Sequence, residues 1–227
     1  MKARIARPTA FSVLLTLVLL ANVALAKELS PVALPAPQIH GGKPLMEALA
    51  LRATSRAFAI EDLPLQTLSN LLWAAWGINR PGQGLRTAPS AMNWQETDVY
   101  VVMKTGAYTY NAAKNELDPV VTGDHRALTG TQAFVKDAPV TLVYVAEAGR
   151  MGVDVRDKAT KATADELEAM KWADAAMISQ NVSLFAASEG LATGVRALID
   201  RPALAKALKL KESQSITLAQ SIGFPRK

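Results

Sequence analysis

Apolar residues recur every three or four positions in two long stretches of the chain, which is the spacing of one face of an α-helix. The shorter stretch follows Asp62 and Pro64, ends at Gly77 and predicts one helix. The longer one predicts a helix over Ala164 to Glu189, rich in alanine and closed by Gly190. Its expected apolar side consists of Leu167, Met170, Met177, Ile178, Val182 and Phe185. Because alanines let neighbouring backbones approach closely, we expect this helix to run through the middle of the molecule or of a dimer.

Runs of β-branched and aromatic residues between and after these helices predict strands. Val99 to Met103 and Val140 to Ala146 are two of them. Tyr108 to Tyr110 and Leu117 to Val121 flank a polar turn and predict a hairpin. A last strand is expected over Ile216 to Ile222.

Two shorter helices and one long loop complete the predicted elements. One helix is expected from about Pro44 to Leu51, the other opens at Pro202, and a short extended segment precedes it up to Ile199. Asn79 to Asn93 is rich in Gly, Pro, Ser and Asn, and this length of loop suggests a functional role. The order of helices, strands, long helix and strand indicates an α+β fold and not a regular βαβ alternation.

The first 26 residues have the layout of a signal peptide, with basic residues, an apolar run from Phe11 to Leu20 and an A-x-A cleavage site at Ala24 to Ala26. The run is shorter than the roughly 20 residues that span a bilayer, and an uncleaved membrane anchor is the alternative. We therefore expect a periplasmic or secreted protein without stable membrane insertion after cleavage. Residues 27–42 contain three prolines and predict a flexible or extended arm, and 43–227 form a single domain.

The amino-acid composition excludes several classes of catalytic and metal-binding site. The 227-residue chain has no cysteine and two histidines, which excludes disulfides, a cysteine nucleophile and thiolate metal sites, and no metal is expected. The signal segment carries three of the 25 basic residues and none of the 20 acidic ones, so the rest of the chain has a formal charge of +2. Nucleic-acid binding therefore has no support, and redox chemistry would need an organic cofactor.

Polar side chains are concentrated at three places. Arg52 and Arg56 flank two hydroxyls, a combination suited to a phosphate or the polar edge of an aromatic cofactor, although such a pair also occurs on solvated helix faces. Ser90 and Asn93 lie among apolar residues, as a heteroaromatic ring would require, or they belong to an ordinary turn around a buried Trp94. The third place consists of the glycine-containing segment 190–196 and the chain end at 222–227, where a frayed tail is the alternative.

Taken in order, these segments resemble the FMN-dependent nitroreductase family from about residue 44 to 226. The matching motifs are Arg52-Ala53-Thr54-Ser55-Arg56-Ala57-Phe58, Ala88-Pro89-Ser90 with Asn93, Gln180-Asn181 through Gly190-Leu191, and Gly223-Phe224-Pro225. The middle section is most similar to the azoline dehydrogenase branch (SagB-type, thiazole/oxazole-forming oxidases). The residues behind this second similarity are Gly106-Ala107-Tyr108-Thr109-Tyr110, Leu117 and Gly123-Asp124-His125-Arg126.

The resemblance implies a nitroreductase-like fold with a central, mostly antiparallel sheet flanked by helices, in an intertwined homodimer that binds FMN at the subunit interface. It also implies a role for each matching residue. Arg52, Thr54 and Arg56 hold the ribityl-phosphate, and Ala53 contributes its backbone. Ser90 and Asn93 face the isoalloxazine ring from the other subunit. The backbone near Ala197 and Leu198 lies beside the reactive flavin nitrogen, and Arg226 and Lys227 are the candidates for a C-terminal phosphate contact. Glycines common in the family are absent at 197–198, and position 53 is alanine where a second arginine is usual.

The resemblance implies an FMN-dependent oxidoreductase, and the predicted signal peptide makes it an exported one. It would transfer a hydride or electrons between a small organic substrate or reductant and a second acceptor, with dehydrogenation at least as well supported as nitro-group reduction. The alternative is a catalytically inactive flavin-binding or cofactor-free module on the same fold. Export favours this alternative, because a chain without a twin-arginine signal crosses unfolded and must find FMN outside the cytoplasm.

Overall fold

The secondary structure was analysed in a computed structural model that describes residues 29–154, 158–159 and 162–226. The expected signal peptide, residues 1–26, lies outside the described residues. The helices are α1 (Leu45–Leu51), α2 (Leu65–Trp76), α3 (Ala164–Glu189) and α4 (Arg201–Ala207). The strands are β1 (Val32–Ala33), β2 (Ile78–Arg80), β3 (Leu85–Arg86), β4 (Thr97–Met103), β5 (Gly106–Asn111), β6 (Glu116–Thr122), β7 (Val140–Glu147), β8 (Val153–Asp154), β9 (Lys158–Ala159), β10 (Ala192–Arg196) and β11 (Gln214–Gly223).

Seven strands form one central sheet in the order β1-β6-β5-β4-β7-β11-β10. Every neighbouring pair in it is antiparallel. The interior strand β7 is buried from Val140 to Ala146, because both faces of the sheet are covered there. The expected α+β class with a central antiparallel sheet is therefore confirmed.

Helices cover the two faces of the sheet unequally. On one face α2 and α3 pack against side chains such as Val101 and Leu142, with Leu71 and Ile178 fully buried between them. On the other face α4 contributes Leu204 to a smaller apolar cluster. The larger cluster lies under the two long helices, so α3 is fixed along much of its length.

Helix α3 begins and ends where the sequence predicts. Thr163 caps its start, with a side chain that accepts a hydrogen bond from the Glu166 backbone N–H, and Gly190 ends it in the left-handed conformation at φ 69°. The predicted apolar side needs correction, because Met177 is 45% exposed while Asp174 is buried. Met177 and Ile178 are adjacent in sequence and point about 100° apart around a helix, so they cannot share one narrow face.

The segment expected as an arm ahead of the fold belongs to the sheet. Val32 pairs with Leu117, which makes β1 the edge strand beside β6. Further along, the Gln38 backbone N–H donates to Asn70 at 2.8 Å. The segment is extended, as predicted, but it packs on the domain instead of preceding it, because β6 offers an unpaired edge.

The predicted loop from Asn79 to Asn93 contains a small ribbon, since β2 and β3 pair with each other. A short 3-10 turn over Ala91–Asn93 follows and leads into β4. Across the described residues, no helix has both the length and the apolar character to cross a membrane.

Candidate functional site

The first half of the candidate site is the arginine segment, residues 52–56, which follows directly on α1. Arg52 is the capping residue at the end of α1, and its side chain and that of Arg56 are exposed. Within the described residues neither guanidinium group has a hydrogen-bond or ion-pair partner. Both groups therefore present free positive charge and planar donors to solvent.

Backbone contacts fix the arginine segment against β10. The Ser55 N–H donates to the Thr193 carbonyl oxygen at 2.8 Å. A Cβ atom placed on Gly194 would lie 2.9 Å from the Ser55 carbonyl oxygen, so only glycine fits this approach without displacement. The structure thus brings two of the sequence-predicted segments, 52–56 and 190–196, into contact.

The chain end joins the same place. Phe58, fully buried, forms an isolated bridge with Pro225, and the Arg226 backbone N–H donates to the Ala57 carbonyl oxygen at 3.2 Å. The Arg226 side chain is partly committed, because its Nε donates to the Phe58 carbonyl oxygen at 3.1 Å and Nη2 lies 3.5 Å from Asp137. Arg226 is therefore next to the arginine segment and not in a frayed tail.

Residues 197 and 198 come directly after β10, beyond this group of contacts. The Leu198 side chain is 66% exposed, and its carbonyl oxygen accepts from the Thr131 N–H at 3.1 Å. The Ala197 carbonyl oxygen accepts from Arg201 Nη2 at 3.1 Å. Thr131 and Arg201 therefore fix the backbone of residues 197–198. The Leu198 side chain occupies a position where the family commonly has a glycine, which would leave this space open.

Arg196, just before them, is a buried charge whose role the sequence analysis missed. Its guanidinium donates to the Thr129 carbonyl oxygen and hydroxyl, both at 2.8 Å, and to Ser221 Oγ at 2.9 Å. Burial lowers the pKa of Arg196 to about 10. The one available signal was a charged residue in an otherwise small and apolar strand.

The second half of the candidate site is the 90–95 loop, in which side chains and backbone are already bonded to each other. Ser90 Oγ accepts from the Gln95 backbone N–H at 2.9 Å, and Asn93 Oδ1 accepts from Gln95 Nε2 at 3.1 Å. Met92, Asn93 and Gln95 have φ values of 50°, 55° and 50°. Three non-glycine residues in the left-handed region mark a strained turn that its surroundings hold in place.

The loop borders a cavity of about 370 Å³. Arg86 stands at this cavity, donates through Nε to Gln95 Oε1 at 2.7 Å and lies 4.8 Å above the Trp76 ring. The cavity is lined by Arg80, Leu85, Arg86, Ala88, Pro89, Ser90, Met92 and Asn93. Trp94 is buried, so the turn around a buried Trp94 and the polar edge facing a cavity coexist in one loop.

Two carboxyl groups beneath the loop were also missed. Glu96 is fully buried and Asp174, on α3, is nearly so. Burial, together with the neighbouring Asp174 carboxylate, raises the pKa of Glu96 to about 7, and burial also raises the pKa of Asp174. Asp174 and Glu96 are far apart in sequence, which leaves no local pattern to find them by.

The two halves contact different parts of one chain. The arginine segment lies against β10 and the chain end, whereas the 90–95 loop lies against α3 through Asp174. Within the described residues no hydrogen bond or ion pair joins the two halves. A single chain therefore provides two partial sites, one with free cations and one with a rigid polar edge.

The family of the protein follows from the comparison with known proteins. Residues 49–224 match the model of the nitroreductase family, so the chain belongs to this family of oxidoreductases. A crystal structure of a candidate nitroreductase from Ralstonia eutropha is 37% identical, with a TM-score of 0.80 over 90% of this chain and 93% of that one.

Two more distant structures share the fold. The microcin synthetase complex of Escherichia coli with truncated pro-MccB17 bound is 18% identical, with a TM-score of 0.64 over 100% of this chain and 85% of that one. The NADPH:FMN oxidoreductase of Vibrio harveyi complexed with NAD+ is 19% identical, with a TM-score of 0.58 over 81% of this chain and 69% of that one. At these identities the similarity is one of fold alone.

Proposed function

We propose that the protein is an exported FMN-dependent oxidoreductase that acts on a small organic molecule as a homodimer. The observation that carries the proposal is the pair of guanidinium groups on Arg52 and Arg56, which have no partner among the described residues and lie beside the close backbone approach at Gly194. A phosphate bound there would receive charge-assisted hydrogen bonds from both. FMN, when bound, would supply the hydride and electron chemistry that these side chains lack.

Each half of the site has its own task in this proposal. Arg52, Arg56 and the Thr54 hydroxyl bind the phosphate end, with the Ala53 backbone beside them. Arg226 adds positive charge nearby, although its Nε is already committed to Phe58. The isoalloxazine ring is contacted by the second half of the site, through Ser90 and Asn93 on the loop. The backbone of Ala197 and Leu198, after β10, also lies beside the ring.

A dimer is the arrangement that would unite the two halves. Helix α1 exposes apolar side chains that a monomer would leave in water, among them Leu45 at 61% and Met46 at 75% exposure. A shallow cavity of about 360 Å³ lies between this helix and α3. Burial of this surface against a second copy would bring the 90–95 loop of one subunit to the arginine segment of the other.

The reacting substrate is proposed from chemistry and family membership together. NADPH and NADH are cytoplasmic, so an exported enzyme would oxidise an organic substrate of its own or use another reductant. The motifs of residues 106–126 resemble those of the azoline dehydrogenase branch, and this branch is the one proposed among the possible reactions.

A second candidate function is a binding module without catalysis. The observation in its favour is the exposed Leu198 side chain in the segment proposed to lie beside the reactive flavin nitrogen. A leucine there would compete for space with the ring. In this case the fold would bind a ligand without passing electrons.

The experiment that tests the proposal expresses the full chain, purifies the processed protein from the periplasm of the expression host and titrates it with FMN. We expect a dimer in light scattering and a flavin absorbance spectrum. Colourless protein that refuses added FMN would support the binding module. A monomer that retains flavin would contradict the shared site.

A further inference from the structure

The 90–95 loop rests on a pair of carboxyl groups that the proposed chemistry does not use. Asp174 Oδ2 accepts a hydrogen bond from the Ala91 backbone N–H at 2.8 Å. Glu96 follows the loop directly, and its Oε1 accepts from the Thr97 hydroxyl at 3.2 Å. No donor from the described residues reaches the buried Glu96 Oε2. A proton on one of the two carboxyl groups would satisfy that oxygen.

The proton belongs on Glu96. Two ionised carboxylates in contact and out of water repel each other strongly, so the pair retains one proton. Asp174 already accepts from Ala91, which favours its ionised form, and a protonated Glu96 would donate to it as a second hydrogen bond. In this arrangement the neutral Glu96 donates a hydrogen bond to the Asp174 carboxylate, which also accepts one from the Ala91 backbone N–H.

The loop needs such support because of its backbone. Met92, Asn93 and Gln95 all have positive φ, which is unfavourable for residues with side chains. The bonds that Ser90 and Asn93 make to Gln95 are internal to the loop and do not attach it to the rest of the molecule. The Ala91 bond attaches the loop to α3.

We propose that Asp174, hydrogen-bonded to a protonated Glu96, is a positioning residue that fixes the 90–95 loop and so directs Ser90 and Asn93 at the cavity. This inference rests on the proposed role of that loop at the flavin ring. The two groups touch no substrate. They act through the Ala91 backbone.

The charged groups on the surrounding elements are engaged elsewhere. Arg150 donates to the Glu96 carbonyl oxygen, not its carboxyl group, and forms an ion pair with Asp98 at 2.7 Å. Three other charged groups have partners of their own: Lys171 on α3 pairs with Glu168, Arg86 donates to Gln95, and Glu147 on β7 accepts from Gly149. Loss of the Glu96 proton therefore leaves two adjacent anions under the loop, and no cation among the described residues is bonded to either.

The test follows the Ala91 amide by hydrogen exchange, corrected for the intrinsic effect of pH, in the unliganded full mature chain. We expect protection to fall at least tenfold between pH 6 and pH 8.5. Glu96→Gln supplies a permanent donor to Asp174 and should keep protection at both pH values. Asp174→Asn keeps an acceptor for Ala91 and should do the same, whereas Asp174→Leu should lose protection at both.

Exposed Glu189→Gln is the matched control and should follow the parent profile. With FMN bound, Glu96→Gln should also flatten the pH profile of turnover while flavin affinity changes less than threefold. A parent amide with equal protection at both pH values, or a Glu96→Gln profile identical to the parent, would overturn the inference. If the chain refuses FMN but shows the expected exchange pattern, the flavin role falls and the support of the loop by Asp174 stands.

Discussion

The arginine segment and the 90–95 loop solve opposite physical problems. Arg52 and Arg56 are exposed and unpartnered within the described structure, and the backbone between them is the fixed part. In the loop the side chains of Ser90 and Asn93 are already bonded, and the charge that supports the loop is the buried carboxylate of Asp174. The arginine segment has hydrogen-bond donors that gain partners only when a ligand binds. The 90–95 loop has its hydrogen bonds already formed, and they fix its conformation.

Because of this difference, the two regions should affect different measured quantities, the ligand affinity and the reaction rate. Free guanidinium groups gain bonds only when an anion binds, so they determine affinity. A preorganised polar edge gains little on binding but stabilises charge that develops later, so it determines rate. The following predictions separate the two regions, from the largest expected effect to the smallest.

The first prediction uses pH, to which the loop region alone should respond between pH 5 and 8.5. Burial raises the pKa of Glu96 from 4.5 to about 7 in the folded chain. The unfolded chain thus ionises at lower pH, and the free energy of unfolding should fall as pH rises through this window, by about 3 kcal/mol in full. Urea unfolding at pH 5 and 8.5 measures this, and Glu96→Gln should reduce the fall.

The second prediction removes the free charges. Arg52→Ala and Arg56→Ala should each weaken FMN binding by roughly 1.5–3 kcal/mol, or about tenfold to over a hundredfold, because each deletes a charge-assisted hydrogen bond. Lys206→Ala removes an exposed positive charge from α4 and should bind FMN like the parent. Equal flavin affinity in all three variants would return the arginines to an ordinary solvated surface.

The third prediction concerns the polar edge. Asn93→Ala should keep most of its flavin but lose about tenfold in rate with any donor that reduces the parent, as expected for one hydrogen bond made to developing charge. Flavin content and single-turnover reduction are measured on the same sample. Loss of flavin as complete as in Arg52→Ala, or an unchanged rate, would mean that the loop is a structural turn around Trp94.

The fourth prediction tests the close approach behind the arginines. Gly194→Ala would place a Cβ atom 2.9 Å from the Ser55 carbonyl oxygen and push the segment outward by a few tenths of an ångström. We expect a loss of about 1 kcal/mol in stability, as for mild overpacking, and a several-fold loss in FMN affinity. Gly82→Ala meets no atom within 4 Å and serves as the control. Unchanged affinity in Gly194→Ala would separate this contact from the phosphate site.

Local signals explain how much of the fold was predictable. The ends of α3 were found because Thr163 and Gly190 are capping residues that act within one helical turn. The strand positions followed from runs of β-branched residues. The pairing of Val32 with Leu117 was not predictable, because two residues of an edge strand carry too little pattern to indicate a partner.

The candidate site divides in the same way. Arg52, Arg56, Ser90 and Asn93 belong to short motifs and could be singled out in the sequence, although their roles remain predictions. The support for the loop depends on contacts between remote segments, such as Ala91 with Asp174. A carboxylate on a long helix is normally read as solvated, and only the packing of α3 shows that it is not.

The interior position of β7 in the sheet has a consequence for how the chain reaches its folded state. Its partners are β4, which precedes it, and β11, which is the last of the described elements to be made. Until β11 is available, Val140 to Ala146 is an uncharged, β-prone stretch with one open edge, a segment able to associate with other unfolded chains. Pro139 before it and Glu147 at its end act as gatekeepers that limit such aggregation. Chains truncated before β11 should therefore precipitate.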